Sequence, residues 1–470
     1  MQAETQSNVM ASKPRHRFLK SISLGMNDLL FSTRRTPWIV FDLFFVLLTF
    51  GAGIWYSPYG QVARLDESFL SIVSIYSFSF VTFAIGMGYY DRVRRYRYRD
   101  VFRIGTISAG VAVMATLTVL YFLFYGVFGR LTLIWGTGFA LVANLILRML
   151  IAFLLRQNPY RFTILGSSPY MDDVISFCSK SDIHGAAYQY VPWSIVTAEK
   201  PDDICDQLLG ERVGDVVLSQ STLEDPKSIE LAVQCLQVKL RVVDEIAFYL
   251  QIMERLPIRM ISKEWVLREG LARRQVITVA IKRWMDVVLS SIAIVLLAPF
   301  LGLIALSIKL TSPGPVIYKQ VRQGRYSKPF KMYKFRTMTE ESPGEDAGFT
   351  MVDDDRVTKV GRVLRRFHLD ELPQLWNILR GQMSIVGPRP EALSFADKLR
   401  SELPLYDLRY LVRPGLTGHA QLNQGYAMDS VADTEIKLSN DLYYLCYHSF
   451  WQDIALILRT VFYILGRGSR

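Results

Sequence analysis

The chain has 470 residues, enough for more than one domain, and 50% of them are hydrophobic, with a mean hydropathy of +0.19. Its net charge of +11 and pI of about 9.3 favour nucleic acid, an anionic membrane surface or a phosphorylated substrate as the partner. Its 4 cysteines lie far apart and form no zinc pattern with histidines and no disulfide framework, which predicts buried thiols in a reducing compartment.

Four apolar segments follow a polar, basic N-terminal stretch at 1–36, which lacks the pattern of a cleaved signal peptide. The segments are Trp38–Tyr56, Phe69–Tyr89, Ile104–Phe128 and Leu131–Leu155. Each has about the 20 residues that a membrane-spanning helix needs, and a helix in a soluble core would rarely stay apolar on all faces for that length. Residues 37–156 are therefore predicted to form a bundle of four transmembrane helices.

Basic residues flank these segments unevenly and predict their orientation. The loop DRVRRYRYRDVFR, which starts at Asp91, carries six arginines, whereas the loops on the opposite side carry only Arg64 and Arg130. The positive-inside rule places the arginine-rich loop, and with it both ends of the four-helix unit, in the cytoplasm. Nucleic acid could also bind such a loop, but membrane topology already accounts for its charge, so we expect no nucleic-acid partner.

Residues 157–273 differ in character, because short apolar runs alternate there with helix-like segments. The runs that predict strands are Arg161–Ser168, Gly214–Gln220 and Leu240–Glu245, and those that predict helices are Met171–Lys180 and Ser228–Val238. This alternation is typical of a parallel α/β sheet, and we interpret the region as a Rossmann-like domain. A dinucleotide fingerprint needs G-x-G-x-x-G after the first strand, where only Gly166 is present. A structural or regulatory domain is therefore favoured over NAD binding, which stays the alternative.

A fifth apolar run covers 284–310 and is interrupted by Pro299, which removes a backbone hydrogen bond from a helix. Lys282 and Arg283 precede the run, and 312–339 after it carries basic side chains and no acidic ones. Basic residues on both sides predict a re-entrant helix that is broken at Pro299 and returns to the cytoplasmic side. A kinked spanning helix is the alternative.

Acidic and basic residues are concentrated together in Arg362–Pro390, RVLRRFHLDELPQLWNILRGQMSIVGPRP, where Asp370 and Glu371 follow three arginines. Arginines neutralise phosphoryl oxygens while carboxylates hold a metal or attack phosphorus, so this combination suggests chemistry on a phosphate. From the residues alone, Asp370 could equally be the N-cap of a helix with Pro373 in its first turn. At a helix N-terminus, the dipole would also keep the carboxylate ionised.

Other kinds of active site have no supporting motif. The chain contains no G-x-S-x-G around a serine nucleophile and no G-x-x-x-x-G-K-[ST] phosphate-binding loop. The carboxylate pair in a basic, membrane-apposed domain remains, and it suits phosphoryl transfer to a lipid with Mg²⁺ bound by the carboxylates.

Three long stretches resemble the bacterial sugar transferase family: VIYKQVRQGRYSKPFKMYKFRTM, RVTKVGRVLRRFHLDELPQLWNILRGQMSIVGPRPE and LVRPGLTGHAQLN. The resemblance covers 274–470 and implies a membrane-associated, α-rich (α+β) catalytic domain. The whole chain resembles the long form of the family, in which four membrane helices and a Rossmann-like domain precede that domain. The implied reaction transfers sugar 1-phosphate from a UDP-sugar to polyprenyl (undecaprenyl) phosphate and releases UMP, with Mg²⁺ as cofactor.

The resemblance also implies residue roles. Asp370 would be the nucleophile that forms a phospho-sugar intermediate, and Glu371 would assist through Mg²⁺, which both carboxylates would bind, or through proton transfer. The implied substrate-binding residues are Lys334, Arg336, Arg356, Arg362 and Arg365 around the phosphates, Arg389 for the uridine diphosphate, and Asp441 as a further acid. Each has a structural alternative: a strand edge for KFRTM, a rigid turn for the Pro-Arg-Pro segment, and a helix-surface charge for Asp441.

The chain departs from the family pattern at three places, none of which touches the carboxylate pair. Ala298 precedes Pro299 where the family often has serine, Gln382 stands where an aspartate is common, and Gln424-Gly425 replaces a common Gly-Arg. The second change leaves no acidic role at that position, and the third leaves the sugar or nucleotide contacts of that loop open.

The sequence thus predicts an enzyme of the bacterial inner membrane with its catalytic domain on the cytoplasmic face. It would act at the first membrane step of exopolysaccharide, capsule or O-antigen synthesis, with glucose or galactose expected as the sugar before an N-acetylhexosamine. A homodimer through the membrane helices or the Rossmann-like domain is compatible with the sequence. The alternative from another class is a membrane-anchored, nucleotide-sensing scaffold. A transporter is less favoured, because Arg148 is almost the only charge within the four apolar segments.

Overall fold

The computed structural model is mostly helical and divides between Ile252 and Met253 into two compact units. It describes residues 35–57, 69–86, 98–123, 130–157, 160–180, 186–198, 200–211, 213–272, 276–339, 356–424 and 431–467. All four cysteines are buried thiols, as predicted. The predicted domain bounds at 36, 156 and 273 stay predictions.

Four apolar helices open the first unit. They are α1 (Arg35–Trp55), α2 (Phe69–Gly86), α3 (Tyr98–Leu123) and α4 (Arg130–Gln157). Buried side chains from all four form one hydrophobic cluster, in which the rings of Phe50 and Tyr76 stack with centroids 3.8 Å apart. In α4, Thr132–Leu150 is long and apolar enough to cross a membrane, while the apolar stretches of the other three are shorter. Four apolar helices thus lie where the sequence predicts them, and their assignment as four membrane spans stays a prediction.

A buried ion pair links the first and last of these helices. Arg148 of α4 donates a hydrogen bond to the Asp42 carboxylate of α1, and both side chains are almost fully buried. A charge taken out of water is costly unless it is paired, so the two residues neutralise each other where neither would be tolerated alone. Arg148, which is almost the only charge within the four apolar segments, therefore has a carboxylate partner within the same unit.

A four-stranded parallel sheet forms the second part of this unit, with strand order β2-β1-β3-β4. Its strands are β1 (Tyr160–Leu165), β2 (Ala186–Val191), β3 (Asp215–Leu218) and β4 (Arg241–Asp244), and its helices are α5 (Pro169–Lys180), α6 (Trp193–Ala198), α7 (Pro201–Gly210), α8 (Pro226–Gln237) and α9 (Glu245–Met253). The predicted strands are present, and β2 is an additional one. Gly166 after β1 has φ +92, and a Cβ there would lie 2.2 Å from Ser219 Oγ, so the chain's own side chains fill this turn. The Rossmann assignment stays a prediction.

The second unit combines helices with two small sheets. Its helices are α10 (Lys263–Ala272), α11 (Val276–Thr311), α12 (Lys359–Arg366), α13 (Gln374–Leu379), α14 (Leu393–Glu402), α15 (His419–Gln424), α16 (Val431–Tyr447) and α17 (Phe450–Arg467). Its strands are β5 (Ile317–Gln323), β6 (Pro329–Phe335), β7 (Ser384–Val386) and β8 (Gly415–Thr417). β5 and β6 form an antiparallel hairpin, whereas β7 and β8 pair in parallel.

The long apolar helix α11 carries Pro299 in its interior and stays helical on both sides of it. One face packs against the second unit on both sides of Pro299, because Ala293 shares a hydrophobic cluster with Phe330 of β6 and Leu375 of α13, and Ile304 shares another with Phe335 of β6 and Leu364 of α12. The opposite face exposes large apolar side chains, among them Trp284, Val295, Leu296, Leu303 and Leu310. The stretch Val279–Thr311 passes the length and composition criteria for a membrane helix. A re-entrant path stays a prediction.

Candidate active site

The carboxylate pair lies in a short 3₁₀ turn, Leu369–Glu371, between α12 and α13. Helix α12 begins after Thr358, whose hydroxyl accepts a hydrogen bond from Gly361 N at 2.9 Å, and His368 then reverses the chain with a left-handed φ of 55°. The N-cap of α13 is Pro373, which offers no side-chain acceptor, so the expectation that Asp370 caps that helix is wrong. The short turn instead directs both carboxylates into the interior of the unit.

Glu371 is held between two cations. Its Oε1 accepts hydrogen bonds from Lys334 Nζ at 3.0 Å and from an Arg389 Nη at 2.7 Å. Burial alone would raise the pKa of Glu371, but the charges of Arg389 and Lys334 outweigh that effect and lower the pKa below its usual range. Glu371 is therefore ionised at neutral pH, and its carboxylate is poorly suited to donate a proton.

Asp370 has a different environment from its neighbour. Burial raises the pKa of Asp370 to about 6, while Lys334 and Arg365 act to lower it and the Glu371 charge raises it further. Desolvation dominates, so the pKa is not lowered as the expected helix dipole would lower it, although a pKa of about 6 still leaves the carboxylate mainly ionised at neutral pH. Over the described ranges, no other side chain donates a hydrogen bond to the Asp370 carboxylate. The carboxylate thus remains available to a reacting group.

The predicted phosphate-binding residues separate into two groups. Lys334 and Arg389 lie at the site through Glu371, and Arg365 lies near Asp370 while its Nε donates to Thr337 Oγ1 at 2.8 Å. These cations are gathered from β6, from the loop after β7 and from α12. The sequence places Lys334 far from the carboxylates, and only the fold brings it to them.

The remaining predicted residues lie elsewhere. Arg336 is buried and donates to the carbonyl oxygens of Ser312 at 2.8 Å and Pro313 at 2.5 Å, so it anchors the chain just past the end of α11. Arg362 is exposed on α12, and the Arg356 carbonyl accepts a backbone hydrogen bond from Thr339 at 3.0 Å. Phosphate binding by these three residues stays a prediction.

Asp441 is completely enclosed and belongs to an ion-pair network around Arg409, a residue to which the sequence analysis gave no role. Arg409 donates to Asp441 at 2.7 Å, to Glu391 at 3.3 Å and to the Arg389 carbonyl oxygen at 3.0 Å. Lys437 also donates to Glu391. Arg409 thereby fixes the backbone of the Pro-Arg-Pro segment, and the side chain of Arg389 in this segment reaches Glu371. The surface charge proposed as the alternative for Asp441 is wrong, because the residue is only 2% exposed.

The two buried acids of this network respond to burial differently. Burial would raise the pKa of Glu391, but Lys437 and Arg409 outweigh it and bring the pKa to about 2. Burial raises the pKa of Asp441, which Arg409 only partly offsets. Both carboxylates therefore depend on the Arg409 charge.

The acidic side chains available for a metal are few. Across the described part of the chain, no group of three His, Cys, Asp or Glu residues could hold a metal ion. Mg²⁺ needs fewer protein ligands, because it commonly takes one or two carboxylates and completes its shell with water and substrate phosphates. Asp370 and the Oε2 atom of Glu371 fit such a site, since Lys334 and Arg389 make their closest contacts with Oε1 and Oε2 accepts only a longer hydrogen bond of 3.5 Å from Arg389.

Comparisons with known proteins match this second unit. A family model described as bacterial sugar transferase matches residues 277–467. The chain is 46% identical over 191 residues to a UDP-N-acetylgalactosamine-undecaprenyl-phosphate N-acetylgalactosaminephosphotransferase of Aeromonas hydrophila, covering 40% of this chain and 45% of that protein.

Two shorter relatives are covered more fully. A UDP-glucose:undecaprenyl-phosphate glucose-1-phosphate transferase of Caulobacter vibrioides is 45% identical over 182 residues, which are 38% of this chain and 68% of that protein. An exopolysaccharide production protein, PSS, of Rhizobium leguminosarum bv. phaseoli is 43% identical over 195 residues, which are 40% of this chain and 97% of that protein. The matched region thus spans less than half of the Aeromonas relative but nearly all of the Rhizobium one.

Proposed function

Because the chain belongs to the bacterial sugar transferase family, we propose that it transfers a sugar 1-phosphate from a UDP-sugar to undecaprenyl phosphate and releases UMP. This would be the first membrane step of exopolysaccharide, capsule or O-antigen synthesis. The observation that carries the proposal is the contrast within the carboxylate pair. Glu371 is ion-paired with Lys334 and Arg389, whereas Asp370 is buried beside it without a hydrogen bond from another side chain.

In the proposed reaction, the ionised Asp370 attacks the phosphorus that carries the sugar. The bond from this phosphorus to the bridging oxygen breaks, UMP leaves with that oxygen, and the phospho-sugar stays on Asp370. A phosphate oxygen of undecaprenyl phosphate then attacks the same phosphorus, which forms the diphosphate product and restores the carboxylate. Lys334, Arg365 and Arg389 would offset charge on the phosphoryl oxygens during both steps. Mg²⁺ held by Asp370 and Glu371 would neutralise further phosphate charge.

The membrane arrangement is part of the proposal. The apolar stretch of α11 has 33 residues, so a straight helix of about 50 Å would exceed the hydrocarbon core of about 30 Å. Residues of α11 on both sides of Pro299 pack against the same folded unit. This packing supports a re-entrant segment over an upright span. We place the protein in the bacterial inner membrane as a multi-pass protein, with the catalytic domain on the cytoplasmic face. The four-helix bundle, the Rossmann-like domain and the homodimer complete this proposal.

The sugar is the least constrained part. The relatives named above are split between N-acetylgalactosamine and glucose, and the sequence favours glucose or galactose. The non-catalytic scaffold is not favoured, because two of those relatives carry the names of phosphotransferase reactions.

A release assay tests the proposal directly. Purified protein with Mg²⁺ and undecaprenyl phosphate is incubated with UDP-glucose, UDP-galactose and the UDP-N-acetylhexosamines in turn, and UMP is measured. We expect one sugar nucleotide to give UMP and a matching lipid-linked product in equal amounts. When the lipid is omitted, UMP release should not exceed one molecule per enzyme molecule. Failure of every donor would refute the proposed reaction.

The pKa of Asp370 predicts the pH dependence of this reaction. Attack needs the carboxylate, and with a pKa of about 6 the ionised fraction falls about tenfold per pH unit below that value. The value of kcat/KM should therefore rise with pH through an apparent pKa of about 6 and level off above about pH 7. Titration of Glu371 should not affect the pH–rate profile between pH 5 and 7, because the pKa of Glu371 is lowered. Thermal unfolding at each pH separates titration from acid unfolding, and a rate that falls between pH 5 and 7 would contradict the nucleophile.

A further inference from the structure

Arg322 lies at the junction between the β5–β6 hairpin and the segment that carries Arg389. Its neighbour Gln323 donates a backbone hydrogen bond to the Glu391 carbonyl oxygen at 2.9 Å, which ties strand β5 to that segment. One Arg322 Nη donates to Gln320 Oε1 at 2.7 Å. Arg322 is thus held beside the candidate site by its own strand, although the sequence analysis gave it no role.

The guanidinium of Arg322 is incompletely paired. Its Nε is buried and has no hydrogen-bond acceptor among the residues that the structure describes, and no described carboxylate lies within 4.0 Å of it. Buried N–H groups of folded proteins are nearly always bonded, and guanidinium groups are bonded to anions in particular. Arg322 is a half-buried cation with an enclosed, unused Nε donor, which points to an anionic acceptor from outside the chain.

The nearby carboxylates are already matched to other cations. Glu371 is paired with Lys334 and Arg389, and Glu391 is paired with Lys437 and Arg409. Burial lowers the pKa of Arg322, and while Glu391 opposes this effect, the Arg389 charge adds to it. Arg322 and Arg389 therefore repel each other, and the nearby carboxylates are already neutralised by other cations. A further anion bound there would reduce this repulsion.

We propose that Arg322 binds a phosphoryl group of the substrate together with Arg389, an assignment that rests on the proposed function. A guanidinium presents a fixed fork of donors to phosphoryl oxygens, and a desolvated fork gains more from such a contact than an exposed one. Both the diphosphate of the UDP-sugar and the phosphate of undecaprenyl phosphate have this chemistry. Kinetic constants for each substrate distinguish the two.

The test compares Arg322→Gln with Arg322→Lys and with Lys319→Gln, an exposed cation on the same strand. Loss of a charged hydrogen bond predicts that Arg322→Gln lowers kcat/KM by about 10- to 100-fold for the substrate that it binds. Lysine keeps the charge but not the fork, so Arg322→Lys should recover only part of this loss. The Lys319→Gln variant should stay within about twofold of the wild type, because solvent screens its charge.

A rise in KM for the UDP-sugar alone assigns Arg322 to the diphosphate, and a rise for undecaprenyl phosphate alone assigns it to the lipid phosphate. Unchanged constants for both substrates, in a variant whose thermal unfolding matches the wild type, would overturn the proposal. A variant that only unfolds earlier and keeps both KM values would overturn it as well, because that result indicates a structural role.

Calorimetric titration with UDP separates this inference from the proposed reaction. If the wild type binds UDP but releases no UMP from any sugar nucleotide, the proposed function fails while phosphate binding by Arg322 is still measured. In that case, UDP affinity that is equal in Arg322→Gln and the wild type would overturn the diphosphate assignment. Titration with undecaprenyl phosphate in detergent tests the other assignment in the same way.

Discussion

Replacing Asp370 by asparagine should lower UMP release by at least about 10³-fold, the order seen when a covalent nucleophile is removed. Asparagine has the same shape but neither ionises nor forms a stable bond to phosphorus. Since no other described side chain donates a hydrogen bond to Asp370, the substitution breaks no such contact, and loss of a costly buried charge should leave stability unchanged or slightly higher. Thermal unfolding of the variant verifies that the fold is intact.

A single-turnover experiment separates the nucleophile from a residue that only positions substrate. With UDP-sugar and no undecaprenyl phosphate, the wild type should release up to one UMP per molecule in a burst, because the phospho-sugar remains on Asp370. Asp370→Asn should give no burst at any donor concentration. A variant that keeps the burst, or turns over as fast as the wild type, would refute the covalent route.

Glu371→Gln provides the matched comparison within the pair. Its loss of charge leaves Lys334 and Arg389 close together without the carboxylate between them, so both activity and stability should fall. Asp370→Asn should affect activity alone. Asp370 and Glu371 are adjacent and chemically alike. The expected difference in stability between the two variants therefore comes from the ion pairs that only Glu371 makes, with Lys334 and Arg389.

Several features of the fold could be predicted from local sequence alone. The apolar helices α1 to α4 and the long helix α11 lie close to the predicted segments, because twenty consecutive apolar residues have few other stable conformations. The family resemblance is confirmed, and the carboxylate pair was found because acid and base stand next to each other in the chain. Strand β2 was missed because AAYQYV is short and mixes polar with apolar residues.

The errors at the site have a common physical origin. The roles of Asp441 and Arg409 depend on a contact between residues 32 positions apart, and no spacing rule predicts such a pair. The N-cap was one of two interpretations of Asp370 that the sequence left open, but Pro373 takes that position and the Asp370 carboxylate is buried instead. Its pKa then follows desolvation, which only tertiary structure determines.

Arg409 should be the most sensitive residue for the stability of the second unit. It is 2% exposed and pairs with both Asp441 and Glu391, so Arg409→Met leaves the Asp441 carboxylate buried without its nearest cation. Removal of one partner from a buried ion pair costs about 3–5 kcal/mol, because the other charge stays desolvated. We expect a loss of this size in the free energy of unfolding, measured by denaturant titration in detergent.

Arg400 supplies the control for this prediction, because it also contacts two carboxylates, Asp397 and Asp407, each at 2.7 Å. All three of these side chains are substantially exposed, so Arg400→Met should cost no more than about 1 kcal/mol. The two arginines each pair with two carboxylates but differ in burial, so equal losses of stability would show that desolvation does not determine the effect.

A double substitution tests the mechanism of the loss at Arg409. If the cost comes from an uncompensated Asp441 carboxylate, then Asp441→Asn added to Arg409→Met should restore part of the lost stability, and the two changes should not be additive. Activity need not recover, since Arg409 also donates to the Arg389 carbonyl oxygen at 3.0 Å and fixes the segment that reaches Glu371. Recovery of stability without recovery of kcat/KM would thus separate the electrostatic role of Arg409 from its positioning role, whereas strictly additive losses would contradict the buried-charge explanation.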